Sequence, residues 1–376
     1  FSTTAMCRIA DEEGLSLDVV SDGELYTALK AGFPAQRIHF HGNNKTPQEI
    51  ELALDAEIGC FVVDNFTEMH MLDALAGEKG KRVKVLLRIT PGVEAHTHEF
   101  ISTGQQDSKF GFDLASGMAF RAVQEVIGLP NLQLIGIHSH IGSQIFEVEG
   151  FRLAVEKVAG FAVEVRDKLG VTFSVFNMGG GFGIRYVEGD RPLPLAQYVQ
   201  AIADAIISSC KAADYPLPEV WIEPGRSIVG DAGTTLYTIG TSKDIPGIRK
   251  YIAVDGGMMD NPRPALYGSK YEAIVANRAN EPCTEMVSVA GKACESGDML
   301  IWDLKVPPVQ PGDLLAVFCT GAYNYAMSSN YNRIRRPAVV FVKDGKADLV
   351  VARETLEDIV RNDLIPERLR KPALSR

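Results

Sequence analysis

The segment Trp221-Ile-Glu-Pro-Gly-Arg-Ser-Ile228 decides how the rest of the chain is interpreted. Its apolar beginning, residues 220–222, predicts a buried parallel strand that ends abruptly at Glu223, Pro224, Gly225 and Arg226. Proline cannot donate to a strand ladder, and glycine lets the backbone approach a ligand. A carboxylate and a guanidinium therefore meet at the carboxyl end of a strand, where parallel α/β barrels carry their active sites. A solvated turn with a surface ion pair is the alternative interpretation.

A strand followed by a helix recurs along the first 230 residues. Strand patterns occur at residues 17–20, 38–42, 60–64, 83–89, 132–141, 173–176 and 220–222, with helical patterns between them. This alternation predicts a parallel sheet. Because the chain begins on a helix, we expect a TIM-type (β/α)8 barrel whose first strand precedes Phe1. The glycine-rich segment 179–183 and the loop at Glu223 then follow strands seven and eight, which build the usual barrel phosphate site.

The pattern changes near residue 234. Short strands are predicted at residues 234–239, 252–254, 285–289, 314–318 and 338–341, separated by glycine, proline and Asp-Gly turns, with a closing helix at 354–363. Such spacing is typical of β domains. The sequence therefore predicts a barrel domain over residues 1–233 and a mainly β domain over residues 234–376.

Composition argues against several classes of function. The net charge of −10 makes nucleic acid or an anionic membrane surface a poor partner, and no apolar run approaches the length of a membrane span. The six cysteines are scattered without a Cys-x-x-Cys pair, which favours free thiols in a reducing compartment, and we expect a cytoplasmic protein.

Two histidine pairs raise the question of a metal. His138-Ser-His140 and His96-Thr-His98 each lack a third ligand at metal spacing, so no metal site is predicted. A core position is the default interpretation of His138. For His140 the more specific hypothesis is that its ring stacks on a flat cofactor. The long polar loop from His96 to Asp107 is a candidate lid over the substrate.

The glycine-rich segment and its neighbours fit one cofactor. Gly179-Gly-Gly-Phe-Gly183 lacks the Gly-x-Gly-x-x-Gly spacing of dinucleotide sites, and its backbone could wrap a phosphate or only allow tight strand–helix packing. With Arg226 for charge, His140 for stacking and Glu223 for a ring nitrogen, the set suits pyridoxal 5'-phosphate.

The ordered motifs of the whole chain then resemble the alanine-racemase-like, fold type III pyridoxal-phosphate decarboxylases. These motifs are His39-Phe-His-Gly-Asn-Asn-Lys45, Asp107-Ser-Lys-Phe-Gly111, His138-Ser-His-Ile-Gly-Ser-Gln144, Met178-Gly-Gly-Gly181, Glu223-Pro-Gly-Arg226, Asp255-Gly-Gly-Met258, Arg263-Pro-Ala-Leu-Tyr267, Cys294-Glu-Ser296 and Gly321-Ala-Tyr-Asn324. Within the family the resemblance is closest to the branch that converts meso-2,6-diaminopimelate to L-lysine and CO2, the last step of lysine biosynthesis.

The resemblance assigns roles to residues at both ends of the ligand. It implies that Glu223 pairs with the pyridine nitrogen and that His140 stacks on the ring. The remaining implied cofactor contacts are Ser143, Gly180, Gly181, Pro224, Gly225, Arg226 and Tyr323. A di-amino dicarboxylic acid substrate would be contacted by Arg226, Arg263, Tyr267, Glu295 and Tyr323. An arginine suits the distal carboxylate and a glutamate suits the distal ammonium.

Cys294 has two interpretations. A lone cysteine in a β domain is usually a core residue. In the Cys-Glu-Ser setting the resemblance implies a proton donor that reaches the neighbouring subunit's active site, and hence a homodimer with shared sites. A thiol can donate a proton near neutral pH because its pKa lies close to working pH.

The family's Schiff-base lysine lies just before the residues that match Phe1-Ser2-Thr3, and we expect the native protein to carry it there. Ala28-Leu-Lys-Ala31 looks similar, but its Lys30 is predicted to lie on a helix in solvent. Two other functions stay open on the sequence: a sister decarboxylase acting on ornithine, lysine or a carboxylated polyamine, and a non-catalytic regulatory homologue that binds a partner protein.

Overall fold

A computed structural model describes residues 1–93 and 108–370, and it divides the chain into two compact units, Phe1–Gly233 and Thr234–Arg376. The predicted lid between His96 and Asp107, with His98, lies outside the described residues. Within the described ranges, no helix combines the length and the hydropathy of a membrane span.

The first unit alternates strands and helices. Its strands are β1 Leu17–Val19, β2 Ile38–Phe40, β3 Cys60–Val63, β4 Val83–Thr90, β5 Phe112–Asp113, β6 Leu132–His138, β7 Val175–Asn177 and β8 Glu219–Trp221. Its helices are α1 Thr4–Glu12, α2 Asp22–Lys30, α3 Pro47–Ala56, α4 Phe66–Glu78, α5 Met118–Val126, α6 Glu149–Leu169, α7 Leu195–Ala212 and α8 Arg226–Val229.

The strands form one parallel sheet in the order β1-β2-β3-β4-β6-β7-β8, with the two-residue β5 beside β4. The seven strands along this order are the seven expected from the sequence, which confirms the barrel-type α/β fold. Within the described residues β1 and β8 are the edges of the sheet, so the barrel is open between them.

Both faces of the sheet are packed, and strand β3 shows how. Phe61 and Val63 pack in the large cluster between the sheet and the helices, whereas Cys60 and Val62 pack inside the curved sheet beside Leu86. Because successive strand residues point to opposite faces, a strand buried on both sides is apolar throughout. Burial on both faces explains why β3 reads as a continuous apolar run.

One expectation about the last strand is wrong. Residues 220–222 were expected to form a buried strand, yet the strand is Glu219–Trp221, with Glu219 exposed and Val220 40% exposed. An edge strand has a neighbour on one side only, so its side chains keep contact with solvent.

Local side chains fix where the helices begin. Thr46 and Glu49 form a reciprocal capping box at α3, where Pro47 occupies the first turn. Asn65 caps α4 by accepting a hydrogen bond from the backbone of Glu68. These caps satisfy amide groups that have no partner within the helix. They hold each helix directly after the strand loop that precedes it.

The second unit is mainly β. Its strands are β9 Thr234–Ile245, β10 Arg249–Val254, β11 Ala273–Val275, β12 Glu285–Ala290, β13 Met299–Val306, β14 Leu314–Phe318, β15 Val339–Lys343 and β16 Lys346–Val351, and its helices are α9 Arg263–Tyr267 and α10 Leu356–Val360. The first six strands form a sheet in the order β11-β14-β9-β10-β12-β13, and β15 pairs with β16 through an Asp344-Gly345 turn. The expected mainly β unit is confirmed.

The sequence patterns did not predict three of these strands, β11, β13 and β16. In β13 the ladder with β12 shifts register, and Asp303 has a φ of 54°. A bulge of this kind breaks the alternation of polar and apolar residues on which strand prediction depends.

Candidate active site

Glu223, directly beyond β8, is surrounded by polar groups from neighbouring strands. Nε2 of His138 lies 3.2 Å from Oε2, and Nδ2 of Asn177 donates to Oε1 at 2.6 Å. Nε2 of His41 lies 3.4 Å from Oε1. The carboxyl ends of parallel strands meet at one edge of the sheet, which is why residues so distant in sequence converge here.

This environment keeps Glu223 ionised. Burial by itself would raise the pKa of the Glu223 carboxyl, but His138 and His41 hold this pKa well below its ordinary value. Burial lowers the pKa of His138, so this ring is neutral and donates through Nε2. His138 is buried, as its default core interpretation expects, and its ring is also in contact with the Glu223 carboxylate.

His41 was quoted only within a motif, and its role was missed. Its Nε2 lies 3.3 Å from Oδ1 of Asp18, so the ring stands between Asp18 and Glu223. Burial would lower the pKa of His41, yet these two carboxylates outweigh it and raise that pKa. The available signal was position, since His41 lies near the end of one predicted strand and Asp18 lies within the strand before it.

The glycine-rich segment lies against this edge. A Cβ on Gly180 would collide with the backbone oxygen of Glu223, and Gly181, at a φ of 100°, would collide with the oxygen of Gly142. Only glycine fits two such close approaches, so the segment brings bare backbone to the edge of the sheet. The backbone N–H of Gly180 also lies 3.3 Å from Nδ1 of His140.

The hydrogen bond from Gly180 and the lowered pKa together show which form of His140 is present. Desolvation lowers the pKa of His140 to about 4. The ring is therefore neutral near pH 7, and its Nδ1 accepts the Gly180 hydrogen. A neutral, held imidazole presents a flat face, as the stacking hypothesis requires.

Arg226 begins α8, directly after Pro224 and Gly225, and its side chain is buried. It donates to Oγ of Ser143 at 2.8 Å and to the hydroxyl of Tyr186 at 2.6 Å. The predicted Arg226 and Ser143 are thus brought together, and Tyr186 was missed. The Gln144 side chain makes two hydrogen bonds to the backbone of Ile184, one as donor and one as acceptor, and so links the loops that carry Ser143 and Tyr186.

A cleft of about 920 Å³ opens in the first unit between the edges β1 and β8. Asp18, His39, Asn177, Trp221 and Glu223 are among its lining residues. The ring of His39 stacks on Trp221 with centroids 4.4 Å apart. The barrel strand expected before Phe1 would lie in this same gap between β1 and β8.

A metal ion is a second chemical option for the same residues. One ligand atom each from His41, His138 and Glu223 lies within 4.8 Å of the others. This trio was not foreseen from the sequence, which predicted no metal site. Glu223 belongs to both arrangements, so a metal here and a ring nitrogen at the same carboxylate exclude each other.

In the second unit, Arg263 and Tyr267 are carried by α9, while Tyr323 lies after β14. The Arg263 side chain is buried, but Tyr267 and Tyr323 are 37% and 42% exposed. The hydroxyl of Tyr271 accepts a hydrogen bond from Arg263 at 2.7 Å and lies 3.4 Å from Oδ1 of Asn324. Tyr271 therefore joins the segment of Arg263 to the segment of Tyr323 and Asn324. No pattern in the sequence indicated this role for Tyr271.

Cys294 and Glu295 lie on the turn between β12 and β13, and both side chains are exposed. The core interpretation of Cys294 is thus wrong. Buried Asp298 organises the turn: its carboxylate accepts the backbone N–H of Ala293 at 2.8 Å and that of Met258 at 2.7 Å. Lys30, in the segment that looks similar to the Schiff-base segment, is exposed at the end of α2, as predicted.

Comparison with known proteins shows a consistent relationship. Residues 1–230 match the family described as "Pyridoxal-dependent decarboxylase, pyridoxal binding domain". The diaminopimelate decarboxylase of Bacillus subtilis (strain 168) is 61% identical over 364 residues, which cover 97% of this chain and 83% of that protein.

Solved structures agree with this match. Diaminopimelate decarboxylase from M. jannaschii in complex with L-lysine superposes with a TM-score of 0.91 at 35% identity, covering 98% of this chain and 84% of that one. Lysine/ornithine decarboxylase from Vibrio vulnificus, in complex with putrescine, shares the fold at a TM-score of 0.74 and 21% identity, covering 89% and 83% of the two chains.

Proposed function

Because this chain belongs to the pyridoxal-dependent decarboxylase family, we propose that the residues gathered around Glu223 form its cofactor site. The chain is a carboxy-lyase that uses pyridoxal 5'-phosphate to decarboxylate meso-2,6-diaminopimelate to L-lysine and CO2. The observation that carries the site assignment is the ionised Glu223, held by His138 and Asn177 beside bare glycine backbone.

The residues at the phosphate end fit the cofactor. Gly180 and Gly181 leave no room for a Cβ because the backbone oxygens of Glu223 and Gly142 lie against them, so this segment is held close to the loops that carry Arg226 and Ser143. Ser143 and Arg226 lie together across the neighbouring loop and supply a hydroxyl and a guanidinium. A phosphate dianion suits such a nest of backbone donors beside an arginine. Pro224 and Gly225 place Arg226 at the start of α8.

The residues at the ring end have separate tasks. Bound pyridoxal phosphate supplies an electron sink that accepts the electron pair left when CO2 departs. Glu223, kept ionised by its histidine neighbours, pairs with the ring nitrogen and keeps that nitrogen protonated. His140, neutral and fixed on Gly180, covers one face of the ring.

The substrate has an amino-acid group at each end, and the far group needs its own contacts. Arg226, Arg263, Tyr267, Tyr323 and Glu295 are the contacts that the family resemblance supplies. Arg263 binds the distal carboxylate, and Glu295 binds the distal ammonium. A substrate without the distal carboxylate and ammonium would leave the polar groups of the site unpaired, so such a substrate is bound poorly.

Cys294 is the proton donor in this proposal. Its thiol gives its proton to the carbon that has lost CO2, and the sulfur becomes a thiolate. The exposed position of Cys294 supports a role at the surface of the unit rather than in its core. We place it in the active site of a second copy of the chain, which makes the enzyme a homodimer with shared sites. Its free cysteines fit the reducing cytoplasm.

Substrate competition tests the reaction. The full-length enzyme is given meso-diaminopimelate, L-lysine and L-ornithine together, and CO2 release from each is followed by isotope label. We expect release from diaminopimelate alone. Turnover of lysine or ornithine without diaminopimelate would show a sister decarboxylase, and no turnover of any substrate by the pyridoxal-loaded enzyme would support a regulatory homologue.

Mixing two inactive variants tests the shared site. Cys294→Ala and Glu223→Gln enzymes are inactive alone, but a mixed dimer contains one site that carries neither change. Re-mixed subunits should recover about a quarter of the wild-type activity, because half the dimers are mixed and half their sites are intact. Activity that stays at the level of the single variants would show that Cys294 serves its own subunit.

A further inference from the structure

Tyr271 lies between two segments that the resemblance links to the substrate. Its side chain is 4% exposed, and those of Arg263 and Asn324 are 5% and 2% exposed. Its hydroxyl accepts the Arg263 Nη1 hydrogen at 2.7 Å, and its own hydrogen points to Oδ1 of Asn324 at 3.4 Å. One hydroxyl therefore uses both its acceptor and its donor capacity inside a buried cluster.

The ring of Tyr271 adds a second contact. The guanidinium carbon of Arg263 lies 5.8 Å from the centre of this ring. The guanidinium therefore lies at the hydroxyl end of this ring, where the hydrogen bond and the ring together limit how it can turn. A planar guanidinium binds a carboxylate bidentately only when its plane is correctly turned, so orientation matters as much as distance.

The other end of the cluster is a constrained turn. Tyr323, next to Asn324, has a φ of 62°, a backbone conformation that bulky residues rarely adopt. Buried Asn324 anchors this turn, and Tyr271 reaches Asn324. Strained backbone persists where the surroundings determine it, and it is frequent at ligand sites.

We infer that Tyr271 is a positioning residue for substrate recognition, whose hydroxyl sets the Arg263 guanidinium and the Tyr323 turn for the distal carboxylate of the substrate. Tyr271 acts through Arg263 and does not touch the reacting atoms. The inference rests on the proposed role of Arg263 and goes beyond it by naming what orients that side chain.

Tyr271→Phe tests the inference because it removes the hydroxyl and keeps the ring. The product L-lysine retains the distal carboxylate, whereas cadaverine lacks it, so the two inhibitors separate this contact from the rest of the site. We expect the KM for diaminopimelate and the Ki of L-lysine to rise about ten-fold, the usual effect of losing a hydrogen bond to a charged group. The kcat and the Ki of cadaverine should change by less than about three-fold.

Three further variants make the result decisive. Tyr215→Phe removes another buried hydroxyl, which accepts the Phe173 N–H at 2.7 Å in the first unit, and it should leave both inhibitor constants unchanged. Asn324→Ala cuts the other end of the link and should also weaken L-lysine more than cadaverine. Arg263→Gln should weaken L-lysine most of all.

The outcomes separate the two hypotheses. If Arg263→Gln weakens L-lysine selectively but Tyr271→Phe weakens both inhibitors equally or neither, the positioning role is wrong and the role of Arg263 stands. If Arg263→Gln leaves L-lysine binding unchanged, the proposed role of Arg263 fails first. Circular dichroism of each variant verifies that the fold is retained.

Discussion

His138 and Glu223 are 85 residues apart, yet Nε2 of the histidine lies 3.2 Å from a carboxylate oxygen of the glutamate. The neutral ring donates a hydrogen bond, and the carboxylate stays ionised in a largely buried position. A buried charge is stable only when hydrogen bonds compensate its loss of water. The pair therefore makes a fixed negative charge available at the cleft.

Replacing Glu223 by glutamine should remove that charge while keeping the shape. We expect kcat to fall by about 100-fold or more, because a preorganised charge beside developing charge is typically worth that much. The measurement is steady-state turnover with the absorbance of the bound cofactor. Glu219→Gln, on the same strand but with an exposed carboxylate, is the matched control and should leave kcat near wild type. Equal kcat in both variants would contradict the role of Glu223.

Gly180→Ala should weaken cofactor binding. Its methyl group would meet the backbone oxygen of Glu223, so the loop must move away from the carboxylate. We expect the Kd for pyridoxal phosphate to rise at least about ten-fold, in line with the strain of overpacking. Gly160→Ala in α6 meets no atom within 4 Å, and it should leave cofactor affinity unchanged. Fluorescence titration measures both variants, and an unchanged Kd for Gly180→Ala would rule out a phosphate role for this loop.

The buried ion pair of Lys45 and Glu68 should contribute to stability. Nζ of Lys45 donates to Oε1 of Glu68 at 2.8 Å and to the backbone oxygens of Gly42 and Val62. Glu68→Gln leaves a buried ammonium without its counter-charge, and we expect a loss of about 3–5 kcal/mol in the free energy of unfolding.

Urea unfolding measures this effect. The control is the exposed pair of Lys79 and Asp55, whose Asp55→Asn variant should cost less than about 1 kcal/mol. The loop held by Lys45 follows His41, so Glu68→Gln should also raise the Kd for the cofactor. Similar costs for the buried and the exposed pair would contradict the prediction.

Asp260 should make stability depend on pH. Burial raises the pKa of this carboxyl to about 6, although the Tyr237 hydroxyl opposes the rise. Between about pH 4 and 6 the folded protein holds a proton that the unfolded chain has lost, so stability falls as pH rises through this window. The total effect is about 3 kcal/mol or less. Asp260→Asn should abolish this slope in thermal unfolding, whereas Asp303→Asn, at an exposed carboxylate, should keep it.

Asp298→Asn should disturb the turn that carries Cys294. Its carboxylate accepts two backbone hydrogens, and an amide would present a donor where an acceptor is needed. We expect kcat to fall about ten-fold and KM to rise as well, because the turn carries both the proton donor Cys294 and Glu295, the proposed contact to the distal ammonium. Pre-steady-state release of CO2 should remain fast while lysine formation slows. A rise in KM alone would show that the turn binds substrate without donating the proton.

Much of the first unit was predictable from local patterns. Apolar runs followed by polar loops located its seven main strands, and the signal is clearest for an interior strand such as β3, which is buried on both faces and apolar throughout. The residues at the strand ends, such as Glu223 and Arg226, were found for the same reason. Strand β13 was missed because its bulge at Asp303 interrupts the alternation.

The sequence alone determined the alternation of strands and helices in the first unit, the positions of its glycine-rich segment and of Glu223, and the family of the chain, since these depend on residues that are neighbours in sequence. Only the tertiary structure decided which side chains meet. Asn177 and Tyr271 entered their sites through hydrogen bonds, and His41 through its closeness to the carboxylates of Asp18 and Glu223, and no local pattern encodes such contacts between distant residues. Their pKa shifts and orientations follow from burial and neighbouring charge, and these exist only once the chain has folded.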